Sequence, residues 1–169
     1  MKFEFKDYGE MGFAGIGISG KNVEEVSETG SRAAQKSKNR IPILTSNNIE
    51  FLKKAARSHE FRVFHQPNFT PDVGLLRSMA QNRKIFEIPV NALLLSSGVE
   101  RAILISKMRA FLKFCLKHRV EFALTTRANN EFETKTPGEL ISIGEVLGLS
   151  RDQAVRALSV VPESVLRKA

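Results

Sequence analysis

One cysteine, three histidines, one tyrosine and no tryptophan stand among 169 residues, and each scarcity removes a class of protein. Cys115 has no partner, which argues against a disulfide or zinc framework and for a reducing compartment. Lying in an apolar helical pattern, it reads as a small buried residue. His59, His65 and His118 are far apart and match none of the H-x-H, H-E-x-x-H or H-x-x-E-H metal patterns. With Tyr8 as its lone tyrosine, the chain is poorly furnished for stacking single-stranded bases on aromatic rings. No apolar run is long enough to cross a bilayer. The opening MKFEFKDYGE alternates charge with phenylalanine instead of forming a signal peptide, so a soluble, cytoplasmic protein is expected.

Positive charge is what the chain has in excess. Twenty-six basic residues against 18 acidic ones give a formal charge of +8 and a pI near 9.9, which marks polyanions as the natural partners. The basic residues are spread along the chain and not gathered into one amphipathic helix or tail, which favours nucleic acid over a membrane surface. Contacts to phosphate and to RNA shape are the expected mode. A hydrophobic content of 42% suffices for one core, and residues 1–169 are read as a single domain.

Short β-type runs alternate with helical stretches, the mark of parallel βαβ units. The strands expected are Gly12 to Ser19, Arg40 to Ser46, Phe61 to Gln66, Lys84 to Val90 and Glu121 to Thr126, with KFEFKDY as a sixth candidate. Their interiors are nearly continuous apolar residues, as when both faces are covered. Capping-box spacing joins Asn22 to Glu25, Asn47 to Glu50, Thr136 to Glu139 and Ser150 to Gln153. Pro71 and Pro137 read as first helical residues, and Gly148 as the end of the helix begun at Thr136. Val23 to Lys36 reads as a helix with a sparse apolar face. Five or six βα units predict an α/β, TIM-barrel-like fold, shortened or partly open because eight units need about 250 residues. An open doubly wound sheet is the alternative.

A barrel invites a search for catalysis. His65 ends a strand in FHQPN, with Asn68 close by, and Glu87 sits inside IFEIPV. Together they allow one enzymatic reading, a small metal-dependent TIM-like phosphoesterase. The other reading of Glu87 is a barrel-lining acid paired with lysine or arginine. His118 follows Lys117 at a helix C-terminus, where positive charge suits the dipole. Neither a nucleophile elbow, a dinucleotide fingerprint nor a P-loop is present.

The longest helical pattern runs from Gly98 to Arg119. Leu104, Met108, Phe111, Leu112 and Cys115 make its apolar face. Arg109, Lys113 and Lys117 form a row of like charges on the far side, which helix stability does not explain. A row of cations tracking phosphates would. Lys36, Lys38 and Arg40, then Lys53, Lys54 and Arg57, then Arg83 with Lys84, add to the basic surface. The loop FALTTRANNEFETKTPG offers Thr125, Thr126, Arg127, Asn129, Asn130 and Lys135, with nothing that titrates near neutrality.

The half from about Asn68 to Lys168 resembles archaeal ribonuclease P protein component 3, a relative of the thirty-kilodalton protein of eukaryotic ribonuclease P. The residues that carry the resemblance are Glu100 and Arg101 opening a long helix, Thr125, Thr126 and Ala128 at a strand end, Lys135 and Pro137 at a helix start, Gly144 and Gly148 in an Ile-Gly-x-x-x-Gly run, and Ala154 or Ala157, Leu158, Ser159 and Pro162 near the end. The resemblance implies a TIM-like barrel with no catalytic centre of its own, a subunit of the ribonucleoprotein that removes 5′ leaders from precursor tRNA. It binds no cofactor, while the RNA subunit uses Mg²⁺ for the hydrolysis. Its implied partners are ribonuclease P RNA, protein component 2 in a two-plus-two heterotetramer, the other ribonuclease P proteins and precursor tRNA. Arg101, Lys107, Arg109, Lys113, Arg127 and Lys135 are the RNA-contact candidates. Asn91, Thr126 and Arg127 depart from the family pattern, and Lys135 replaces an arginine. An RNA-binding barrel serving another complex is a third possibility.

Overall fold

The computed structural model describes residues 23–27, 41–127 and 135–166. Five strands, β1 (Val23–Val26), β2 (Ile41–Thr45), β3 (Val63–His65), β4 (Ile85–Pro89) and β5 (Glu121–Thr125), form one sheet in the order β1-β2-β3-β4-β5. Every neighbouring pair is parallel. A doubly wound sheet reverses its strand order at a switch point; this one never does. Right-handed crossovers that always step the same way place the helices on one face, as in a barrel. Among the described residues β1 and β5 are the two edges, so the architecture is a partly open TIM-like barrel.

The strands alternate between two buried faces. Leu44, Phe64, Phe86, Ile88, Phe122 and Leu124 face the helical layer. That layer is built from α1 (Ile49–Ala56), α2 (Val73–Gln81), the short α3 (Asn91–Leu95), α4 (Gly98–His118), α5 (Pro137–Val146) and α6 (Arg151–Leu158). Ile43, Val63, Ile85 and Ala123 face the other way and pack with Val161 and Val165 of α7 (Val160–Leu166). The inside of a closed barrel is filled by side chains from all its strands. Here a terminal helix helps to fill it.

Three expectations change in the structure. Val23–Val26 is a strand, not the start of a helix: its backbone pairs with Ile41–Leu44. Sheet pairing is a non-local gain that the local Asn22 and Glu25 spacing cannot report, and valine suits it. Pro71 is not a first helical residue, because Asp72 caps α2 by accepting from the N–H of Leu75 at 2.7 Å. That N–H, before Lys53 at 3.2 Å, holds the Asp72 carboxyl below its ordinary pKa. The Asn47 expectation moves by one residue: Asn48 caps α1, while Asn47 accepts from the N–H of Asn68. The boxes at Thr136 and Ser150 form as expected. The strands expected at 12–19 and in KFEFKDY lie outside the described residues, as do residues 28–36 of the expected helix.

The ends of α2, α4 and α5 share one backbone device. In each, a left-handed residue sends its N–H back three residues, and the next N–H reaches back five. In α5 the left-handed residue is Gly148, with φ of 90°, as its place in the sequence predicts. In α2 and α4 it is Arg83 and Arg119, with φ of 52° and 57°, a conformation that costs a side-chain-bearing residue roughly 1 kcal/mol or more.

Gly144 serves packing. A β-carbon there would lie 2.9 Å from Cβ of Ala154 and 3.3 Å from Cδ1 of Leu124, so its absence lets α5 approach α6 and β5. Gly144→Ala gains about 1 kcal/mol of helix propensity, but overpacking against two fixed neighbours costs about 1–3 kcal/mol. The net expectation is a variant less stable than the parent, read as a lower urea midpoint at unchanged slope. A midpoint equal to or above that of the parent would refute the close-approach role.

Candidate functional site

The carboxyl ends of the strands hold a buried polar group. Thr45 pairs with His65 across β2 and β3, Glu87 stands in β4 with its residue 3% exposed, and Thr125 closes β5. One oxygen of Glu87, Oε1, accepts from Thr125 Oγ1 at 2.7 Å and from Arg127 Nε at 3.0 Å. The other, Oε2, accepts from Arg127 Nη2 at 2.5 Å and Nε at 3.0 Å. This is a forked carboxylate–guanidinium pair with an added hydroxyl, so the acceptor capacity of Glu87 is largely used. Of its two readings, the barrel-lining acid paired with arginine is the one the structure shows.

His65 is buried beside it, Nδ1 lying 3.4 Å from the carbonyl oxygen of Glu87 and its ring meeting Phe69 edge-on. The structure thus brings His65 and Glu87 to neighbouring strands. Among the described residues no group of three or more histidine, cysteine, aspartate or glutamate side chains could hold a metal ion.

Arg127 turns inward. Its backbone is left-handed, with φ of 44°, its guanidinium reaches Glu87, and its carbonyl accepts from Asn91 Nδ2 at 3.0 Å. Asn91 and Arg127, thirty-six positions apart, are therefore joined to each other. Thr126 is fully buried. The polar run that opens the 125–135 loop starts as a plug in the mouth of the sheet, and residues 128–134, Asn129 and Asn130 among them, lie outside the described residues.

The other candidates lie on the outside. Met108, Phe111, Leu112 and Cys115 are the buried row of α4, with Leu104 half-buried, as the periodicity predicts. Burial also pushes the Cys115 thiol pKa up. Arg101 donates to the carbonyl of Ser96, with Nε at 2.7 Å, closing the end of α3. Arg109 donates to the carbonyl of Val146 at 2.7 Å, at the end of α5. Both are exposed and both tie helices together. Lys107 and Lys113 are exposed and hold no partner among the described residues. At 100° per residue Lys107 lies nearly opposite Arg109, so these cations do not form one stripe. Lys135 sits 3.9 Å from Glu139, the capping-box acid whose pKa is lowered first by the Thr136 N–H and also by Lys135. His118 stacks on Phe114, a structural role, as its place at the helix end suggests.

These features define a half-open TIM-type barrel whose mouth is plugged by an internal ion pair and whose longest helix carries cations outward. The sequence matches the family described as RNase P subunit p30 over residues 26–169, and the chain belongs to that family. Ribonuclease P protein component 3 of Methanosarcina barkeri is 32% identical over 110 residues, a match spanning 63% of this chain and 46% of that protein. The protein of the same name from Methanococcoides burtonii is 26% identical, and that match spans 94% of this chain and 77% of the relative. The chain thus covers just under half the length of its Methanosarcina barkeri relative. Its fold is similar to that of a chain in the cryo-EM structure of archaeal ribonuclease P with mature tRNA, with a TM-score of 0.71 and 19% identity over 85% of this chain and 64% of that one.

Proposed function

We propose that this chain is a protein subunit of ribonuclease P that assists a catalytic RNA in removing the 5′ leader from precursor tRNA. The observation that carries the reading is the family match over residues 26–169. The plugged mouth agrees with it. Glu87, the carboxylate best placed for barrel chemistry, is committed to Arg127 and Thr125, and in this reading bond breaking belongs to the RNA and its Mg²⁺. The chain's part is to neutralise phosphates and so hold the RNA in its working fold, an effect that weakens steeply with salt.

Lys107 and Lys113 are more available for phosphate than Arg101 and Arg109, which also serve carbonyls. Lys135 and Arg127 contribute from the mouth, Arg127 chiefly by holding the loop. Leu95, Val99 and Ile103 form an exposed apolar row along α3 and the start of α4. In this reading component 2 covers that row in a two-plus-two heterotetramer, alongside the other ribonuclease P proteins in the cytoplasm. No described helix is long and apolar enough to cross a membrane.

Reconstitution with ribonuclease P RNA and component 2, scored for leader removal, tests the reading. Cleavage should rise on adding the chain. Lys107→Gln with Lys113→Gln should lower the salt slope by roughly 0.7–0.9 for each phosphate that is no longer neutralised. No stimulation of the RNA, or hydrolysis of a phosphate ester by the isolated chain, would defeat it.

A further inference from the structure

Opposite the mouth, at the amino-terminal ends of the strands, lies a cleft of about 840 Å³ with Arg62, Arg83, Lys84 and Arg119 on its walls. Arg62 donates to the carbonyl and hydroxyl of Ser164 in α7. Lys84 is buried, its Nζ 2.6 Å from the carbonyls of Ser58 and Phe61; burial, and then Arg62 nearby, push its pKa down. Arg83 and Arg119 are exposed and hold no side-chain partner among the described residues. Of the two carboxylates on the wall, Glu121 is taken by Arg156 and Glu60 is exposed. None of the four cations has a carboxylate within ion-pair distance among the described residues.

A cleft whose described walls carry four cations against two carboxylates, one of them taken by Arg156, suits an anion from outside. The backbone adds a second, independent observation. Arg83 and Arg119 occupy the left-handed positions that end α2 and α4, where glycine would serve the fold better, as Gly148 does at the end of α5. A helix dipole accounts for a cation near a C-terminus. It does not account for putting that cation on the one residue that glycine suits, twice, beside the same cleft.

We infer that this cleft is a second RNA-binding site, in which the guanidinium forks of Arg83 and Arg119 clamp the phosphodiester backbone, with Arg62 and Lys84 as the fixed positive floor. The inference rests on the ribonuclease P reading and adds a surface to it, at the far end of the sheet from Arg127 and Lys135.

The test uses the full chain and a labelled ribonuclease P RNA transcript, titrated at several salt concentrations. Arg83→Gly with Arg119→Gly should melt above the parent, because left-handed strain is relieved, yet bind the RNA roughly tenfold more weakly near 0.1 M salt, with the slope of log K against log salt reduced by about 1.4–1.8. Arg83→Lys with Arg119→Lys should keep most of the slope. Lys54→Gln with Arg57→Gln, the same loss of charge on α1 and just beyond it, should cost clearly less affinity. If the glycine pair alters the fold, Arg83→Gln with Arg119→Gln carries the same expectation. Parental affinity and slope in these neutral variants would overturn the site, as would an equal loss in the α1 control. So would unchanged RNA binding with loss of component 2, since a protein would then occupy the cleft. A parent chain that neither binds this RNA nor stimulates leader removal would instead defeat the functional reading itself.

Discussion

Arg127→Ala is expected to lower stability by roughly 3–5 kcal/mol, measured as the fall in unfolding free energy in urea. The substitution leaves the carboxylate of Glu87, almost wholly buried, with Thr125 Oγ1 as its remaining side-chain donor among the described residues. Glu87→Ala should cost less, because the Arg127 side chain is 24% exposed and can turn its charge towards water. Replacing both by leucine should recover much of the loss, since a well-packed apolar pair can match a buried ion pair. A cost below about 1 kcal/mol for Arg127→Ala would mean that the pair behaves as a surface salt bridge and does not plug the mouth. This bears directly on function. Reduced cleavage in Arg127→Ala would report a damaged loop as readily as a missing RNA interaction. Arg127→Lys keeps the charge opposite Glu87 while removing the fork, and it is the variant that separates the two.

Phe111→Ala should be as damaging, at roughly 3–5 kcal/mol. Phe111 is 1% exposed and meets Phe86 of β4 and Phe69 edge-to-face, with ring centroids 4.9 and 5.8 Å apart. It therefore joins α4 to the sheet and to the loop before α2. Phe69 is itself left-handed, with φ of 50°, a strained state for a bulky residue that its packing must hold. Removing Phe111 leaves a cavity and takes away part of that support, which puts the cost towards the upper end of the range. Phe111→Leu, retaining most of the volume, should cost about half as much or less. A drop of under about 1 kcal/mol for the alanine variant would show that the neighbours collapse into the space and that Phe69 needs no such buttress. With domain stabilities of about 5–15 kcal/mol, either alanine variant removes a large share of the whole.

The parts of the fold that are legible from the chain are those whose cause lies within a few residues. Thr136 with Glu139 and Ser150 with Gln153 form their boxes because both partners belong to one turn. The apolar face of α4 follows from its period. The paired strands β2 to β5 follow from short apolar runs between turn residues. Where two local solutions compete, the outcome depends on what lies elsewhere. Asn47 and Asn48 can each cap α1, and the N–H of Asn68, twenty-one residues on, draws Asn47 away. Val23–Val26 becomes a strand because β2 is there to pair with it.

The site divides along the same line. The exposure of Lys107 and Lys113 follows from helical spacing. The partner of Glu87 could be narrowed to a lysine or arginine but not named, since forty positions separate it from Arg127. Nor could spacing show that Asn91 and Arg127 touch, or that Arg83 and Arg119, each set among ordinary basic residues in the chain, line one cleft.

What the order of amino acids determined unaided is the succession of strands from β2 to β5, the capping boxes at Thr136 and Ser150, the buried row of α4 and an excess of positive charge. These are consequences of bonding and solvation over three or four residues, or of simple sums. What the tertiary structure alone decided is which charges neutralise one another and which remain for a ligand. Coulomb energy and desolvation depend on distances in space, and parallel strand order brings together residues that the chain holds far apart.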